Sequence, residues 1–308
     1  MARKLLLLGR AGVGKSTLKK IIFEGEDPSE LLHHSLEPTR GIETSNYSWL
    51  DLELSIFDTS GQELDNLLKE ESEQIIAFGN TAAVIYIFDY NNWQSNSQDI
   101  ADEIKEIHEI IRRINKEAKL MVIFHKIDLI PEAIRNNVKI LTYQIQNIVN
   151  LPIKSLLYFT SIAEDYIYST HNAFSEILSR FSEKTLSLKK TLDASVRDFS
   201  KSICYITDYN NGIIVQSKSN DFNINLIYES YRILYHLTQK KKKIILNDGD
   251  THLINIDDRI IRMLMAPLDA LNLNLKSLVV VTESFEEGVL YKLMKKILEN
   301  LKFTYLNS

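Results

Sequence analysis

A single cysteine, Cys204, stands in the 308 residues, so no internal disulfide can form and nothing in the chain points to an oxidising compartment. Cys204 lies in a strand-like run, which suits a buried small hydrophobe better than a nucleophile. Positive charge is not in excess either: Lys and Arg number 36 against 41 Asp and Glu, a net charge of −5. A general nucleic-acid-binding surface therefore has no electrostatic support. Long apolar runs are missing. Leu5 to Leu8 is too short for the hydrophobic region of a signal peptide, and no run approaches the length of a bilayer span. Position 2 is alanine where myristoylation needs glycine, and Tyr305-Leu306-Asn307-Ser308 offers no prenylatable cysteine. The expectation is a cytoplasmic protein with no direct membrane anchor, any recruitment to a membrane coming through a partner. No internal repeat or low-complexity segment is evident, and the length suits two domains, each large enough to bury its own core.

What is there begins at residue 9. The run Gly9-Arg10-Ala11-Gly12-Val13-Gly14-Lys15-Ser16 matches the P-loop pattern G-x-x-x-x-G-K-[ST], between the apolar run Lys4 to Leu8 and a helix-like stretch from about Thr17. Strand, glycine loop and helix turn a set of backbone N–H groups inward around a phosphate, and the helix N-terminus adds positive partial charge. Glycine is needed where the backbone takes φ > 0 and approaches the anion closely. Lys15 is placed to neutralise β- and γ-phosphates and the Ser16 hydroxyl to coordinate Mg²⁺.

Three further strand ends carry matching chemistry. Glu53 to Phe57 alternates like a strand and runs into Asp58-Thr59-Ser60-Gly61-Gln62. Asp58 can hold Mg²⁺ directly or through water, Gly61 can bring its N–H to a γ-phosphate, and Gln62 can orient an attacking water. Between this turn and the P-loop, Thr39 in Glu37-Pro38-Thr39-Arg40-Gly41 can give Mg²⁺ a hydroxyl and the γ-phosphate an N–H, in a loop ordered only with that phosphate. After the strand-like Leu120 to Phe124 comes His125-Lys126-Ile127-Asp128. A carboxylate at Asp128 accepts two hydrogen bonds from guanine that adenine cannot give, while Lys126 lays its aliphatic stem along the base. After Leu156 to Phe159, Thr160-Ser161-Ile162 can present backbone N–H groups to the guanine O6.

In this order the elements at Gly9 to Ser16, Thr39, Asp58 to Gln62, His125 to Asp128 and Ser161 resemble the five guanine-nucleotide motifs of the Ras-like GTPase superfamily. His125, where most members have asparagine, together with Phe159-Thr160-Ser161-Ile162 and Ile21-Ile22-Phe23, is similar to the Rag (Gtr) branch. The resemblance covers residues 1 to about 180. It implies nucleotide contacts at residues 9 to 17 (Thr17 included), Thr39, Gly61, His125, Lys126, Asp128, Ser161 and Ile162, a metal site of Ser16, Thr39 and Asp58, and a catalytic set of Gln62, Lys15 and Thr39.

The pattern changes near Ser182. Polar residues Glu183 to Lys190 suggest a linker running into a helix with Leu188, Leu192, Val196 and Phe199 on one face. Strands are expected at Ile203 to Thr207 and Ile213 to Gln216 about an Asn-Asn-Gly turn, then a helix over Ile224 to Leu237. A second hairpin is expected between Ile244 to Leu246 and His252 to Ile256 with Asp248-Gly249 at its tip, then a strand at Ser277 to Thr282 and a helix over Glu287 to Leu301. Asp257 to Asn274 fits no element, and the lysines at 240 to 243 read as a solvated helix end. The order resembles the roadblock-type (longin-related) domain that follows the G domain in Rag GTPases.

The expected fold class is α/β: a P-loop G domain with a mainly parallel sheet over 1–182, then a smaller α/β roadblock-like dimerisation domain over 183–308. The expected function is a GTP/GDP switch that hydrolyses GTP slowly, at about 10⁻⁴ to 10⁻² s⁻¹ without an arginine finger. The resemblance implies pairing with itself or a related Rag-like GTPase, and a roadblock or longin scaffold and a GTPase-activating protein as further partners. A nucleotide-holding scaffold with little hydrolysis and a P-loop ATPase or kinase are the alternatives.

Overall fold

In the computed structural model the described residues are 3–33, 42–49, 52–59, 61–135, 138–151, 157–209, 213–223, 251–256, 259–268, 275–283 and 287–306. The chain divides into two compact units. The first comprises Met1–Lys19, Ser29–Ser48 and Leu52–Ala173, and the second Lys20–Pro28, Trp49–Asp51 and Phe174–Ser308.

The first unit is built on six strands: β1 (Arg3–Leu8), β2 (Ile42–Trp49), β3 (Leu52–Thr59), β4 (Thr81–Asp89), β5 (Lys119–His125) and β6 (Leu157–Phe159). They lie side by side in the order β2-β3-β1-β4-β5-β6, and the pairs β1·β3, β1·β4, β4·β5 and β5·β6 are all parallel. A parallel sheet is covered on both faces, so its strands read as continuous apolar runs. Leu5 to Leu8, Ala83 to Ile87 and Met121 to Phe124 are accordingly all fully buried.

Successive side chains point to opposite faces. On one face, Leu6, Leu8, Val84, Tyr86, Phe88, Val122 and Phe124 join a core with residues of α3 (Gly61–Lys69), α5 (Tyr90–Ile114) and α7 (Val138–Val149). Ile100, Ile104, Ile107 and Ile111 supply the α5 stripe at helical spacing, each buried side chain contributing roughly 1.5–3 kcal/mol. Asp89 caps α5 by accepting from the Asn92 N–H, and the helix is broken at Asn96. Near the C-terminal strand ends an aromatic ladder crosses the sheet: Phe88 meets Trp93 at 5.5 Å and Phe124 at 4.9 Å, and Phe124 meets Phe159 at 5.6 Å. Trp93 is thus a packing residue.

Strand order reverses at β1, which has β3 on one side and β4 on the other. In an open α/β sheet a ligand crevice lies outside the carboxyl ends of the strands at such a switch point. The glycine-rich loop leaves β1 there and leads into α1 (Lys15–Lys19), which widens into a π-helical turn over Lys20–Glu24.

In the second unit five strands, β7 (Ser202–Asp208), β8 (Ile213–Lys218), β9 (Thr251–Ile256), β10 (Arg259–Pro267) and β11 (Leu275–Thr282), form an antiparallel sheet in the order β8-β7-β11-β10-β9. Two helices, α9 (Glu183–Val196) and α10 (Glu287–Leu306), pack on this sheet and against one another. Buried Leu188, Leu192 and Val196 of α9 and Leu290, Leu293, Ile297 and Leu301 of α10 follow the helical period. Cys204 is buried in β7, and burial pushes its thiol far above the usual range.

Three expectations are corrected in this unit. No linker occupies 183–190: the helix starts at Glu183 because the Ser182 side chain caps it, accepting from the Thr185 N–H at 2.8 Å. Phe199 lies beyond that helix, under the Lys296 ammonium at 5.6 Å. Among the described residues β9 pairs with β10, so the segment that fitted no element holds a strand. Its consecutive buried residues Met263, Leu264 and Met265 hide the alternation that marks a half-exposed strand. The β7·β8 hairpin forms, with Thr207 opposite Ile213. The Asn-Asn-Gly turn, the helix expected over 224–237, the lysines at 240–243, the strand expected at 244–246 and the tip at Asp248-Gly249 lie outside the described residues.

Candidate nucleotide site

Strand ends in the first unit carry the site. The turn after β1 holds Gly12 and Gly14 at φ of +76° and +99°, which side chains rarely adopt. Lys15 is buried, and its Nζ donates to the Gly9 and Arg10 carbonyls at 2.8 and 3.0 Å, arching over the loop. Burial lowers its pKa to about 8, against the attraction of Asp58. Such a lysine gains strongly from a phosphate charge brought beside it.

Asp58, fully buried near the end of β3, accepts from Ser16 Oγ at 2.5 Å through Oδ2. Its Oδ1 is buried with no hydrogen-bond partner among the described residues. Burial raises the carboxyl's pKa, opposed by the Ser16 hydrogen bond and the Lys15 charge. A buried carboxylate oxygen without a partner, beside a hydroxyl, is the donor chemistry of a hard divalent cation such as Mg²⁺. Among the described residues no group of three His, Cys, Asp or Glu side chains could hold a metal ion, so a cation here would take few protein ligands and fill its shell from phosphate and water.

The loop His125 to Asp128, expected from sequence to recognise the base, follows β5. Lys126 sits in the left-handed region at φ +56° and donates from Nζ to the Gly12 carbonyl and to Asp89 Oδ2 at 3.1 Å, tying the loop to the phosphate turn and to the end of β4. Burial raises the Asp89 carboxyl, but hydrogen bonds from Asn92 and the Lys126 charge outweigh it and hold it below the usual range. Asp128 accepts from the Ser161 hydroxyl through Oδ1, and its backbone carbonyl accepts from Arg135 at 3.0 Å. Ser161 is held in turn: its Oγ accepts from the Ala163 N–H at 3.0 Å and its carbonyl from Thr170 Oγ1 at 2.8 Å.

His125 is buried, its Nδ1 2.8 Å from Thr160 Oγ1 and its ring edge packed on Gly14. Burial and the Lys126 charge pull its pKa down to about 3, so the imidazole is neutral at pH 7. It thereby joins the phosphate turn, the base loop and the strand end before Ser161.

The structure thus gathers the loop 9–16, Asp58, His125, Lys126, Asp128 and Ser161 at one edge of the sheet. Thr17 lies in the first turn of α1 and Ile162 directly follows Ser161. Gly61 opens α3 with Gln62 second in that helix, whereas Thr39 and Arg40 lie outside the described residues. The Arg10 guanidinium is engaged elsewhere, pairing with Glu103 of α5 at 2.7 Å. Asp89 and Glu103 were missed from sequence. Asp89 had a local signal, a carboxylate ending an apolar run before Tyr90-Asn91-Asn92, while Glu103 had none.

A family model described as the Gtr1/RagA G protein conserved region matches residues 4–233. The chain is 32% identical over 171 residues to Ras-related GTP-binding protein A of Dictyostelium discoideum, covering 54% of this chain and 55% of that protein. It is 28% identical over 205 residues to GTP-binding protein gtr1 of Schizosaccharomyces pombe (65% and 62%) and 24% over 227 residues to GTP-binding protein GTR2 of Saccharomyces cerevisiae (72% and 63%). The matched segment spans a little over half to under two thirds of these relatives. With that family match over most of its length, the chain belongs to the Gtr1/RagA G protein family.

Proposed function

We propose that the chain is a Rag-type molecular switch that binds GTP and GDP with Mg²⁺ and hydrolyses GTP slowly. The observation that carries this reading is the convergence, at one sheet edge, of a buried P-loop lysine, the Ser16–Asp58 pair with its unpartnered oxygen, and an Asp128 carboxylate fixed by Ser161.

Each residue has a separable task. Lys15 neutralises the β- and γ-phosphates while the N–H groups of residues 12 to 16 cradle them. Ser16 and Asp58, with Thr39, would hold the Mg²⁺, which would offset charge on the phosphate oxygens. Gln62 orients the attacking water, assisted by the Gly61 N–H at the γ-phosphate. Asp128 takes two guanine N–H bonds, and the neutral His125 braces the loop that carries it. Arg10 is engaged by Glu103, which supports slow unassisted turnover and a need for a GTPase-activating partner.

Residues 183–308 serve association, with itself or with a related Rag-like chain, in a roadblock-like domain. The antiparallel sheet with helices α9 and α10 packed on it supports this reading. A roadblock or longin scaffold is the further partner, and the protein works in the cytoplasm with membrane recruitment through partners. Among the described residues no helix is long and apolar enough to cross a membrane.

Nucleotide released from the purified chain, competition between GTP and ATP, and single-turnover hydrolysis test the first part together. Equal GTP and ATP affinity would point to a P-loop ATPase or kinase, and GTP bound without turnover to a scaffold. Light scattering on the full chain and on one ending at 182 tests the second part: the shortened chain should be monomeric.

A further inference from the structure

The phosphate loop is fastened to α5 by contacts that the nucleotide chemistry does not use. Arg10 donates from Nε and Nη2 to Glu103 Oε1 at 2.9 and 2.7 Å, with Asp99 Oδ2 3.5 Å from Nη2. The other Glu103 oxygen, Oε2, accepts from the hydroxyl of Tyr86, a fully buried residue of β4. The Glu103 side chain is 13% exposed and that of Arg10 27%, so the pair is shielded well beyond an ordinary surface ion pair. On its main-chain side, Arg10 gives its carbonyl to Lys15 Nζ. The loop is therefore gripped at one residue from two directions, by the phosphate-site lysine and by the helix.

Resting on the phosphate-site reading of this loop, we propose that Arg10 and Glu103 are positioning residues: their pairing holds the loop's N–H groups in the anion-binding arrangement, so that nucleotide residence time depends on α5. A nest of N–H groups binds its anion in one backbone conformation, and affinity falls with the fraction of molecules that hold it. Releasing the tether adds competing loop conformations without removing any group that touches nucleotide. Tyr86 anchors the carboxylate from inside the sheet. Burial first, then the Glu103 charge, pushes its phenol well above the ordinary value, so it remains a neutral donor. The pair also occupies the Arg10 guanidinium, which leaves it no part in stabilising charge on the transferred phosphoryl group.

The test is dissociation of a fluorescent GDP analogue from the full chain, beside single-turnover hydrolysis at saturating GTP. Arg10→Ala and Glu103→Ala should each speed dissociation about tenfold, and the double variant no more than either alone, because one tether is lost in all three. In Glu103→Ala, which lies outside the nucleotide contacts, hydrolysis of bound GTP should change less than twofold. Arg10→Lys keeps the charge but loses the fork and should fall between. Effects that multiply in the double variant, dissociation unchanged in both single variants, or slower hydrolysis with unchanged dissociation would each overturn the proposal. Where an alanine variant does not fold, Arg10→Lys and Glu103→Gln carry the same comparison. Failure of the wild-type chain to bind guanine nucleotide would overturn the phosphate-site reading and this proposal with it, and would be seen before any variant is made.

Discussion

Adding one methyl group at Gly14 should do far more damage than adding one at Gly12, although both glycines lie in the same loop. Each has positive φ, +76° at Gly12 and +99° at Gly14, so alanine costs about 1–2 kcal/mol of backbone strain at either site. A Cβ at Gly12 meets nothing within 4 Å. A Cβ at Gly14 would stand 2.8 Å from His125 Cδ2 and 3.1 Å from Nε2. That ring cannot step aside, being buried and bonded to Thr160, so overpacking adds roughly 1–3 kcal/mol. The totals are about 1–2 kcal/mol for Gly12→Ala and about 2–5 kcal/mol for Gly14→Ala, the latter a large share of a domain's stability. Thermal unfolding should place Gly14→Ala several degrees below Gly12→Ala, at roughly 2–4 °C per kcal/mol. Combining Gly14→Ala with His125→Asn, which shortens the side chain, should recover the steric part and leave the strain. Equal melting of the two alanine variants, or strict additivity in the Gly14/His125 pair, would refute the argument.

Other outcomes follow from the same geometry. Asp128→Asn should weaken GTP binding by about 1–3 kcal/mol and favour xanthosine triphosphate, read by nucleotide competition; unchanged GTP affinity would contradict the guanine assignment. Gln62→Leu should slow single-turnover hydrolysis with GTP affinity within a few-fold, whereas Ser16→Asn should damage Mg²⁺-dependent triphosphate binding, and equal loss of affinity in both would refute the division of tasks. His125 and His171 are both fully buried with pKa values near 3, burial being the leading cause. Since the unfolded chain binds their protons from about pH 6.5, stability is fully present above that pH and is lost as pH falls from about 6.5 toward 3, by up to about 1.4 kcal/mol per unit per histidine. Urea unfolding at pH 7 and pH 5 should show that loss, and His125→Asn should flatten it; equal stability at both values would count against neutral burial.

The sequence by itself determined the family of the chain and singled out the candidate site residues of the first unit, because each motif is local. A glycine loop between a strand and a helix, an aspartate closing a strand, and Lys126 and Asp128 after β5 state their backbone and charge requirements within a few contiguous residues. The helix α10, the Leu188, Leu192 and Val196 face of α9 and the β7·β8 hairpin were legible for the same reason, through period and turn chemistry, but the start of α9 was not, because its polar first turns read as linker. Strand β10 was not, because burial of consecutive residues erases the alternation that a reader relies on. Only the tertiary structure decided that His125 packs on Gly14, that Lys126 reaches both Gly12 and Asp89, and that Arg10 pairs with Glu103. Those pairs join residues far apart in the chain, and what brings them together is the strand order around β1, set by parallel crossovers that leave no mark in any single stretch of sequence.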